Sequence, residues 1–352
     1  MADWRIFTGS RTQHDGIARL PAPPPWRQFD GVPLLPRPTG GSGNEHAAKS
    51  YRANNAALQQ VNAALYLRRP LLVTGRPGIG KSTLAYAVAH ELRLGPVLHW
   101  PITSRVTLRD GLYQYDPLSR LYAAGPTGRS DLTDSAEPAV SRRQDDIGDY
   151  IRLGPVGTAL LPYKRPRVLL IDEIDKSDID LPNDLLTVFE KGSYEIVELA
   201  RRASRTAKVM TADSTTDRTE IRDGTVTCNA FPLVIMTSNG ERQFPPAFLR
   251  RCVSVDLKQP ESSEELEEIV SGHLGSVINT GGRLPDQATM IVEHFFQRRD
   301  RGLLANDQLL NAVYLCHHAM LTNRPRDVIA LADQVMSYLG AENGPDEPEA
   351  TA

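Results

Sequence analysis

The chain has 352 residues, a formal net charge of −3, an apolar fraction of 40% and a charged fraction of 24%. These values are typical of a soluble globular protein with room for two domains. They argue against direct nucleic-acid binding, and the lack of any run of about 18 apolar residues argues against a membrane span. The first residues lack the apolar core of a secretory signal, and the three cysteines are widely spaced, which suits a reducing compartment. We therefore expect a cytoplasmic protein.

The first part of the chain, residues 1–44, is rich in proline and glycine, which predicts an extended arm. Trp4, Phe7, Trp26 and Phe29 are unusual in a plain linker. They would anchor the arm either to its own core or to a partner. Docking on its own core is the simpler interpretation.

A glycine-rich segment carries the strongest signal. Residues 75–82 read G-R-P-G-I-G-K-S, between an apolar run at 71–73 and a helix-forming stretch at 83–94. In this context such a loop surrounds a phosphate with backbone N–H groups and the positive end of a helix. Lys81 would reach the β- and γ-phosphates, and the Ser82 hydroxyl would bind Mg²⁺. The predicted nucleotide-binding residues in this segment are Gly75, Arg76, Pro77, Gly78, Ile79, Gly80, Lys81, Ser82 and Thr83.

A second predicted site follows the predicted strand 167–171, which after Arg167 is continuously apolar, as is typical of a parallel strand buried on both faces. Two carboxylates end this run. Asp172 would hold Mg²⁺ through water. It is the last of the predicted nucleotide-binding residues, and together with Ser82 it forms the predicted metal site. Glu173, one residue further, would polarise the attacking water.

Two polar signals follow the next predicted strand, at 232–238. Asn239 at its tip is able to orient the attacking water or contact the γ-phosphate, although such residues are also common where a strand ends. Arg250 and Arg251 come after a short apolar helix. An isolated pair would be surface charge, but at this distance after Asn239 the pair is better interpreted as supplying an arginine finger for a neighbouring subunit.

Helices and strands alternate through this region, which predicts a five-stranded parallel sheet with helices on both faces. An Asp-Gly turn within 219–227 predicts a β-hairpin. After about residue 260 the pattern is all-helical. The predicted strands are 71–74, 97–102, 167–171, 232–238 and 252–257, helices are predicted over 51–67 and 183–191, and an apolar stripe joins Val328, Leu331, Val335 and Leu339.

The order of these motifs resembles that of the AAA+ ATPases, and more closely their MoxR-type branch with a helix-2 insert, over about residues 45–338. The resemblance identifies 75–82 as Walker A, Asp172 and Glu173 as Walker B, and Asn239 as sensor 1. It implies the AAA+ fold: an α/β P-loop core with a five-stranded parallel sheet, and a small all-α lid.

The same resemblance places Arg251 at the family's arginine finger and Arg326 at the sensor 2 arginine that opens a lid helix. It places Gly154-Pro155 in the helix-2 insertion. It also implies that the hairpin at 219–227 projects toward a central pore, with a plain surface hairpin as the equal alternative. One departure is Asp175, where MoxR-type proteins usually have asparagine.

The resulting domain organisation has four parts. An arm and a core come first, and the core carries two insertions. A helical lid and an acidic tail, which we expect to be disordered, follow. The boundaries are 1–44 for the arm, 45–258 for the core with insertions around 116–160 and 193–230, 259–340 for the lid and 341–352 for the tail.

The function that the resemblance implies is hydrolysis of ATP, with Mg²⁺, to remodel or activate a protein partner. The catalytic residues would be Glu173, Asn239, Arg251 and Arg326. An arginine finger in trans implies a homo-oligomeric ring, in this family a hexamer. The partner would be a separate protein with a von Willebrand factor A domain.

Two other classes of function remain open. One is a nucleotide-dependent switch in a bacterial signalling or defence complex, which would hydrolyse ATP very slowly. The other is a McrB-like motor subunit of a DNA-processing complex, which would prefer GTP and would need a DNA-binding partner, because this chain is not basic.

Overall fold

The computed structural model describes residues 4–36, 38–124, 146–214, 218–278, 284–299, 304–322 and 328–336. The chain forms two compact units. Among the described residues, the first unit holds two sheets and their helices, and the second is built around four helices. Of these residues, the first unit takes those within Met1–Lys49, Ala53–Thr74 and Lys81–Asp256, and the second takes those within Ser50–Arg52, Gly75–Gly80 and Leu257–Ala352.

The strands are β1 (Leu71–Gly75), β2 (Leu98–Pro101), β3 (Tyr113–Tyr115), β4 (Ile151–Leu153), β5 (Val168–Asp172), β6 (Ser193–Glu195), β7 (Thr206–Met210), β8 (Arg218–Arg222), β9 (Thr225–Thr227), β10 (Leu233–Ser238) and β11 (Val253–Leu257). The helices are α1 (Glu45–Ser50), α2 (Asn55–Leu67), α3 (Lys81–Glu91), α4 (Leu108–Leu112), α5 (Pro117–Ala124), α6 (Pro155–Ala159), α7 (Leu181–Lys191), α8 (Val197–Ala200), α9 (Pro246–Leu249), α10 (Ser263–Ile278), α11 (Asp286–Arg298), α12 (Asn306–Thr322) and α13 (Val328–Val335).

The central sheet has five parallel strands in the order β11-β1-β10-β5-β2, which confirms the predicted sheet. Leu233 pairs with Val168, and Leu98 pairs with Leu169. Both middle strands are buried: every residue of β10 is, as are the first four residues of β5. Helices cover both faces of this sheet, so its middle strands are buried on both sides and consist largely of continuous apolar runs.

Several helix ends differ from the predicted ones because capping residues set them. The helix predicted from residue 51 begins only at Asn55, because the Asn54 side chain accepts the N–H of Ala57 and caps it. The helix predicted to reach residue 94 ends at Glu91, and Arg93 adopts a left-handed conformation with φ of 52°.

A six-stranded second sheet, in the order β3-β4-β7-β8-β9-β6, was not predicted. The predicted hairpin is present as β8 and β9, and Asp223 and Gly224 turn between them with φ of 50° and 67°. A side chain at Gly224 would lie 2.5 Å from the backbone nitrogen of Ala200, so glycine is required. The hairpin does not stand free, because β8 pairs with β7 and β9 pairs with β6.

The first residues of the described chain pack against α2 and α3 within the first unit. Ile6 and Phe7 are each 1% exposed. Their N–H groups donate to the buried Asn62 side chain at 2.6 and 3.0 Å. The buried Glu91 carboxylate accepts the N–H and hydroxyl of Thr8 at 2.7 and 2.9 Å. The start of the arm is therefore held by dedicated polar side chains of α2 and α3.

The second unit buries an apolar core between α10, α11, α12 and α13. Val328, Leu331 and Val335 of the predicted stripe lie on α13 and pack against this core. Leu339, the fourth member, and the acidic tail lie outside the described residues. Within the described part of the chain, a helix with the length and apolar character of a membrane span is not found.

Candidate active site

The site lies at the carboxyl ends of the central strands, where open α/β sheets bind ligands. β5 ends at Asp172 and β10 at Ser238. Met236 pairs with Ile171, so Thr237 lies beside Asp172. The helix that carries Lys81 and Ser82 begins next to these strand ends, as the hydrogen bonds below show.

The loop between β1 and α3 belongs to the second unit. Its glycines have positive φ angles, of 146° at Gly75, 72° at Gly78 and 93° at Gly80. A side chain at Gly75 would meet the Leu257 carbonyl oxygen at 2.7 Å. A side chain at Gly78 would meet the Ala305 Cβ at 2.6 Å. The backbone at these positions therefore requires glycine, as a phosphate loop does. The same loop contains Arg76, Pro77 and Ile79, and Thr83 lies in the first turn of α3.

Asp172 is the centre of the polar network in the first unit. Its Oδ1 accepts hydrogen bonds from the Ser82 hydroxyl at 2.6 Å and the Thr237 hydroxyl at 2.5 Å. Its Oδ2 lies 3.3 Å from His99 Nε2. Burial opposes ionisation of this carboxyl, but the hydrogen bonds from His99, Ser82 and Thr237 outweigh it and lower the pKa of Asp172 to about 2. Asp172 is therefore charged at neutral pH.

Lys81 and Asn239 meet directly. The Lys81 ammonium donates to Asn239 Oδ1 at 2.7 Å. Burial lowers the pKa of Lys81, while the charges of Asp175, Asp172 and Glu173 oppose that shift. The Asn239 amide lies 3.5 Å from Glu173 Oε1, at the outer limit of a hydrogen bond. The sensor candidate thus connects the lysine to the second carboxylate.

Glu173 has a left-handed backbone, with φ of 61° and ψ of 48°. Its N–H donates to the Thr237 hydroxyl at 2.9 Å, which fixes this conformation. Its carboxylate is 42% exposed and accepts a hydrogen bond from Lys176 at 2.8 Å. The carboxylate therefore faces solvent between Asn239 and Lys176.

Sequence reasoning missed three residues of this network. Thr237 joins Asp172 to Glu173, and His99 reaches Asp172 from β2. Asp175 is 3% exposed, and its Oδ2 accepts the N–H groups of Asn239 at 2.9 Å and Glu241 at 3.1 Å. One indication of Asp175 was present in the sequence, because MoxR-type proteins usually have asparagine at this position. Its hydrogen bonds to the backbone of Asn239 and Glu241 could be recognised only in the structure.

The oxygen atoms present suit Mg²⁺. Ser82 Oγ and Asp172 Oδ1 lie 2.6 Å apart. A hydroxyl and an ionised carboxylate are hard oxygen ligands, and Mg²⁺ is usually held by one or two such groups with water and substrate phosphates. The residues therefore fit the ion.

Arg251, the finger candidate, is not part of this network. Arg251 precedes β11, at the amino edge of the sheet, and Asp172 ends β5 at the carboxyl edge. Five strand residues at about 3.3 Å each separate these edges by about 17 Å. Arg251 Nε instead donates to Glu190 Oε1 at 2.6 Å, and its Nη1 donates to the Ala247 carbonyl at 3.2 Å. Arg326 lies outside the described residues.

Comparisons with known proteins identify a family model and solved structures that resemble this chain. The model of the AAA domain (dynein-related subfamily) matches residues 70–252. A comparison with curated proteins finds no match. Among solved structures, the Thermotoga maritima RuvB Holliday junction branch migration motor is 16% identical with a TM-score of 0.39, over 76% of this chain and 60% of that chain.

A variant of the same RuvB protein is 16% identical with a TM-score of 0.42, over 80% of this chain and 67% of that chain. This chain thus spans about three fifths of the length of the first RuvB structure. AAA+ ATPases generally use ATP and Mg²⁺ and commonly form oligomers. Because the domain match covers more than half of the 352 residues, the chain belongs to the AAA domain family, dynein-related subfamily.

Proposed function

We propose that this chain is a MoxR-like AAA+ ATPase that hydrolyses ATP to ADP and phosphate and uses the reaction to remodel or activate a protein partner. The observation that carries the proposal is the hydrogen-bonded group of Lys81, Ser82, Asp172, Glu173 and Asn239. Phosphoryl transfer requires mainly positioning and charge stabilisation, and these side chains are the types that supply both.

Three residues would bind the triphosphate and its metal. Lys81, which bonds to Asn239 in the structure, would exchange that partner for the β- and γ-phosphate oxygens. Ser82 and Asp172 would hold Mg²⁺, which when bound would supply positive charge to the same oxygens. The low pKa of Asp172 keeps its carboxylate ready for this role at neutral pH.

Two residues would act on the attacking water. Glu173 Oε1 would accept a proton as the water oxygen bonds to the γ-phosphorus and the bond to the β-phosphate oxygen breaks. The Asn239 amide, 3.5 Å from that carboxylate oxygen, would orient the water. Asp175 would fix the position of Asn239 through its backbone N–H.

Arg251 supports a homo-oligomeric ring, for which we propose a hexamer. Its position at the amino edge of the sheet is too far from its own Asp172 for the two to act on one phosphate. The finger would therefore reach the site of a neighbouring subunit. Arg326 remains our candidate for sensor 2. The client, by the MoxR resemblance, would be a separate von Willebrand factor A domain protein.

A nucleotide-dependent switch is the second candidate. The 2.8 Å ion pair between Lys176 and Glu173 favours it, because the ammonium occupies one of the two carboxylate oxygens that could accept a proton from water. A switch would bind ATP tightly and turn over very slowly. Measuring basal phosphate release with and without candidate clients separates the two functions.

Mixing two inactive variants tests the proposed ring. Arg251→Ala should bind ATP but lose hydrolysis, because a finger is worth about 10³–10⁵ in rate. Lys81→Ala keeps its finger but loses the phosphate-loop lysine. In a mixture, one interface pairs an intact loop with an intact finger, so we expect part of the ATPase activity to return.

The control for this experiment is Arg250→Ala, which should lose less activity than Arg251→Ala. Exchange of subunits between the two variants is verified separately by fluorescence energy transfer. A mixture that exchanges subunits but recovers no ATPase activity would show that Arg251 does not act in trans.

A further inference from the structure

A cavity lies in the first unit, away from the candidate active site. Its volume is about 700 Å³. Lys164, Arg165 and Pro166 line it just before β5, and Phe231 lines it just before β10. At about 3.3 Å per residue, the path from Arg165 along β5 places it about 23 Å from Asp172. The cavity is therefore at the amino edge of the sheet, and the nucleotide site is at the carboxyl edge.

The arm forms the other wall of this cavity through Leu20, Arg27 and Phe29. Three contacts hold the arm in place. Arg27 Nη1 donates to the Phe189 carbonyl at 2.8 Å, Gly31 donates its N–H to the Cys228 carbonyl at 3.0 Å, and Asp15 accepts from Arg165 at 2.5 Å. The docked arm therefore forms part of the wall that encloses the cavity.

Four of the described lining residues are basic. Arg27, Arg68, Lys164 and Arg165 face it, and Asp30 is the acidic residue among its described lining residues. Arg27 is buried, and burial lowers its pKa while the nearby Glu190 opposes that shift. A bound anion would stabilise such a desolvated cation.

Most of this positive charge is not neutralised. Arg165 pairs with Asp15, but Arg68 donates to main-chain carbonyls, including that of Pro21 at 2.7 Å. Arg27 also donates to a carbonyl. Within the described part of the chain, Lys164 makes no ion pair and its side chain is exposed. These groups keep their charge available for an anion.

Aromatic surface accompanies the charge. The rings of Phe29 and Phe231 stack with centroids 5.9 Å apart, and the Arg27 guanidinium lies 5.3 Å from the Phe231 centroid. A cavity of this size, which combines apolar surface with several convergent polar groups, falls in the range of small-molecule sites, which measure about 300–1,000 Å³. The combination suits a molecule with an apolar ring and an anionic group.

We propose that this cavity binds a phosphate-bearing small molecule of about nucleotide size, whose phosphate contacts Lys164 and Arg68 and whose ring packs beside Phe29 and Phe231. Arginine and lysine are the residues that bind phosphate most strongly. The ligand would bridge the arm and the strand ends, so binding would stabilise the docked arm. This site is independent of the ATPase reaction proposed above.

Calorimetry on full-length Lys81→Ala protein tests the proposal, because that substitution weakens binding at the phosphate loop. The probes are AMP, which carries ring and phosphate, adenosine, which lacks the phosphate, and ribose 5-phosphate, which lacks the ring. We expect AMP to bind at least about tenfold more tightly than either fragment. Adding Lys164→Glu should weaken AMP binding by at least about tenfold, as loss of a charge-assisted contact does.

The matched control is Lys208→Glu, the same charge reversal on an exposed lysine of β7 that does not line the cavity. Its AMP affinity should stay within about twofold of the parent. AMP affinity that is undetectable at about 5 mM, or that Lys164→Glu leaves unchanged, would overturn the proposal. Tighter binding of an acidic peptide than of AMP, lost in Lys164→Glu, would also overturn it by identifying a protein partner instead.

Discussion

Replacing Asp175 with alanine should disconnect the sensor candidate from the rest of the active site. One carboxylate oxygen accepts the N–H groups of Asn239 at 2.9 Å and Glu241 at 3.1 Å. Each hydrogen bond to a charged group contributes about 1.5–3 kcal/mol. Asn239 is only partly buried and Glu241 is exposed, so water replaces part of this loss, and we expect the free energy of unfolding to fall by about 2–4 kcal/mol.

Asp175→Asn is the matched variant. Its amide oxygen is able to accept the same two N–H groups, while both substitutions remove the charge that acts on Lys81. The difference between the variants therefore reports the hydrogen bonds. We expect turnover of the alanine variant to be at least about tenfold below that of the asparagine variant, equal to about 1.4 kcal/mol in the barrier.

Urea denaturation measures the stability of both variants, and phosphate release at saturating ATP measures their turnover. Affinity for ATP should stay within about threefold between the two, because Lys81 is intact in both. Equal turnover and equal stability of Asp175→Ala and Asp175→Asn would refute the reasoning that this carboxylate positions Asn239.

Three further predictions concern single side chains. Lys81→Ala should weaken ATP binding by about ten- to a hundredfold in calorimetry, and unchanged affinity would contradict the proposed contact. Lys176→Met frees the Glu173 carboxylate from its ion pair, so phosphate release should rise a few-fold, and a fall would show that Lys176 assists the reaction. The pKa of Asp172 falls from 3.8 to about 2 on folding, so its stabilising contribution is complete above pH about 4 and is lost as the pH falls toward 2. The stability difference between wild type and Asp172→Asn should follow that course in urea denaturation, and a difference that instead shrinks as the pH rises would contradict it.

The central sheet could be predicted because its strands are continuous apolar runs that end in polar residues. Val168 to Ile171 are fully buried, and a short continuous apolar run of this kind is typical of a strand covered on both faces. The glycine-rich loop likewise allowed the positions of β1 and α3 to be predicted. These signals are local in sequence, so they needed no knowledge of the fold.

The second sheet as a whole could not be predicted because all six of its described strands span only three to five residues, most with weak patterns. β3 and β6 are three residues long, and each depends on a partner distant in sequence. Short strands gain their stability from pairing and burial and not from intrinsic preference. The segments 116–160 and 193–230 therefore looked like loose insertions.

The supporting residues of the site depend on register and could not be predicted for that reason. Thr237 reaches Asp172 because β10 and β5 are aligned with Met236 opposite Ile171. His99 reaches the same carboxylate from β2. A sequence pattern identifies the residue types that carry the chemistry, but pairing across a sheet decides which neighbours orient them.

The central claim is that Glu173 acts on water at a site that binds ATP independently of it. The most direct test measures ATP binding and phosphate release on the same samples of wild type, Glu173→Gln and the exposed control Glu241→Gln, with Mg²⁺. We predict that Glu173→Gln binds ATP like wild type but releases phosphate at least about a hundredfold more slowly, as loss of a general base does, while Glu241→Gln matches wild type. Turnover of Glu173→Gln within a few-fold of wild type would contradict the account.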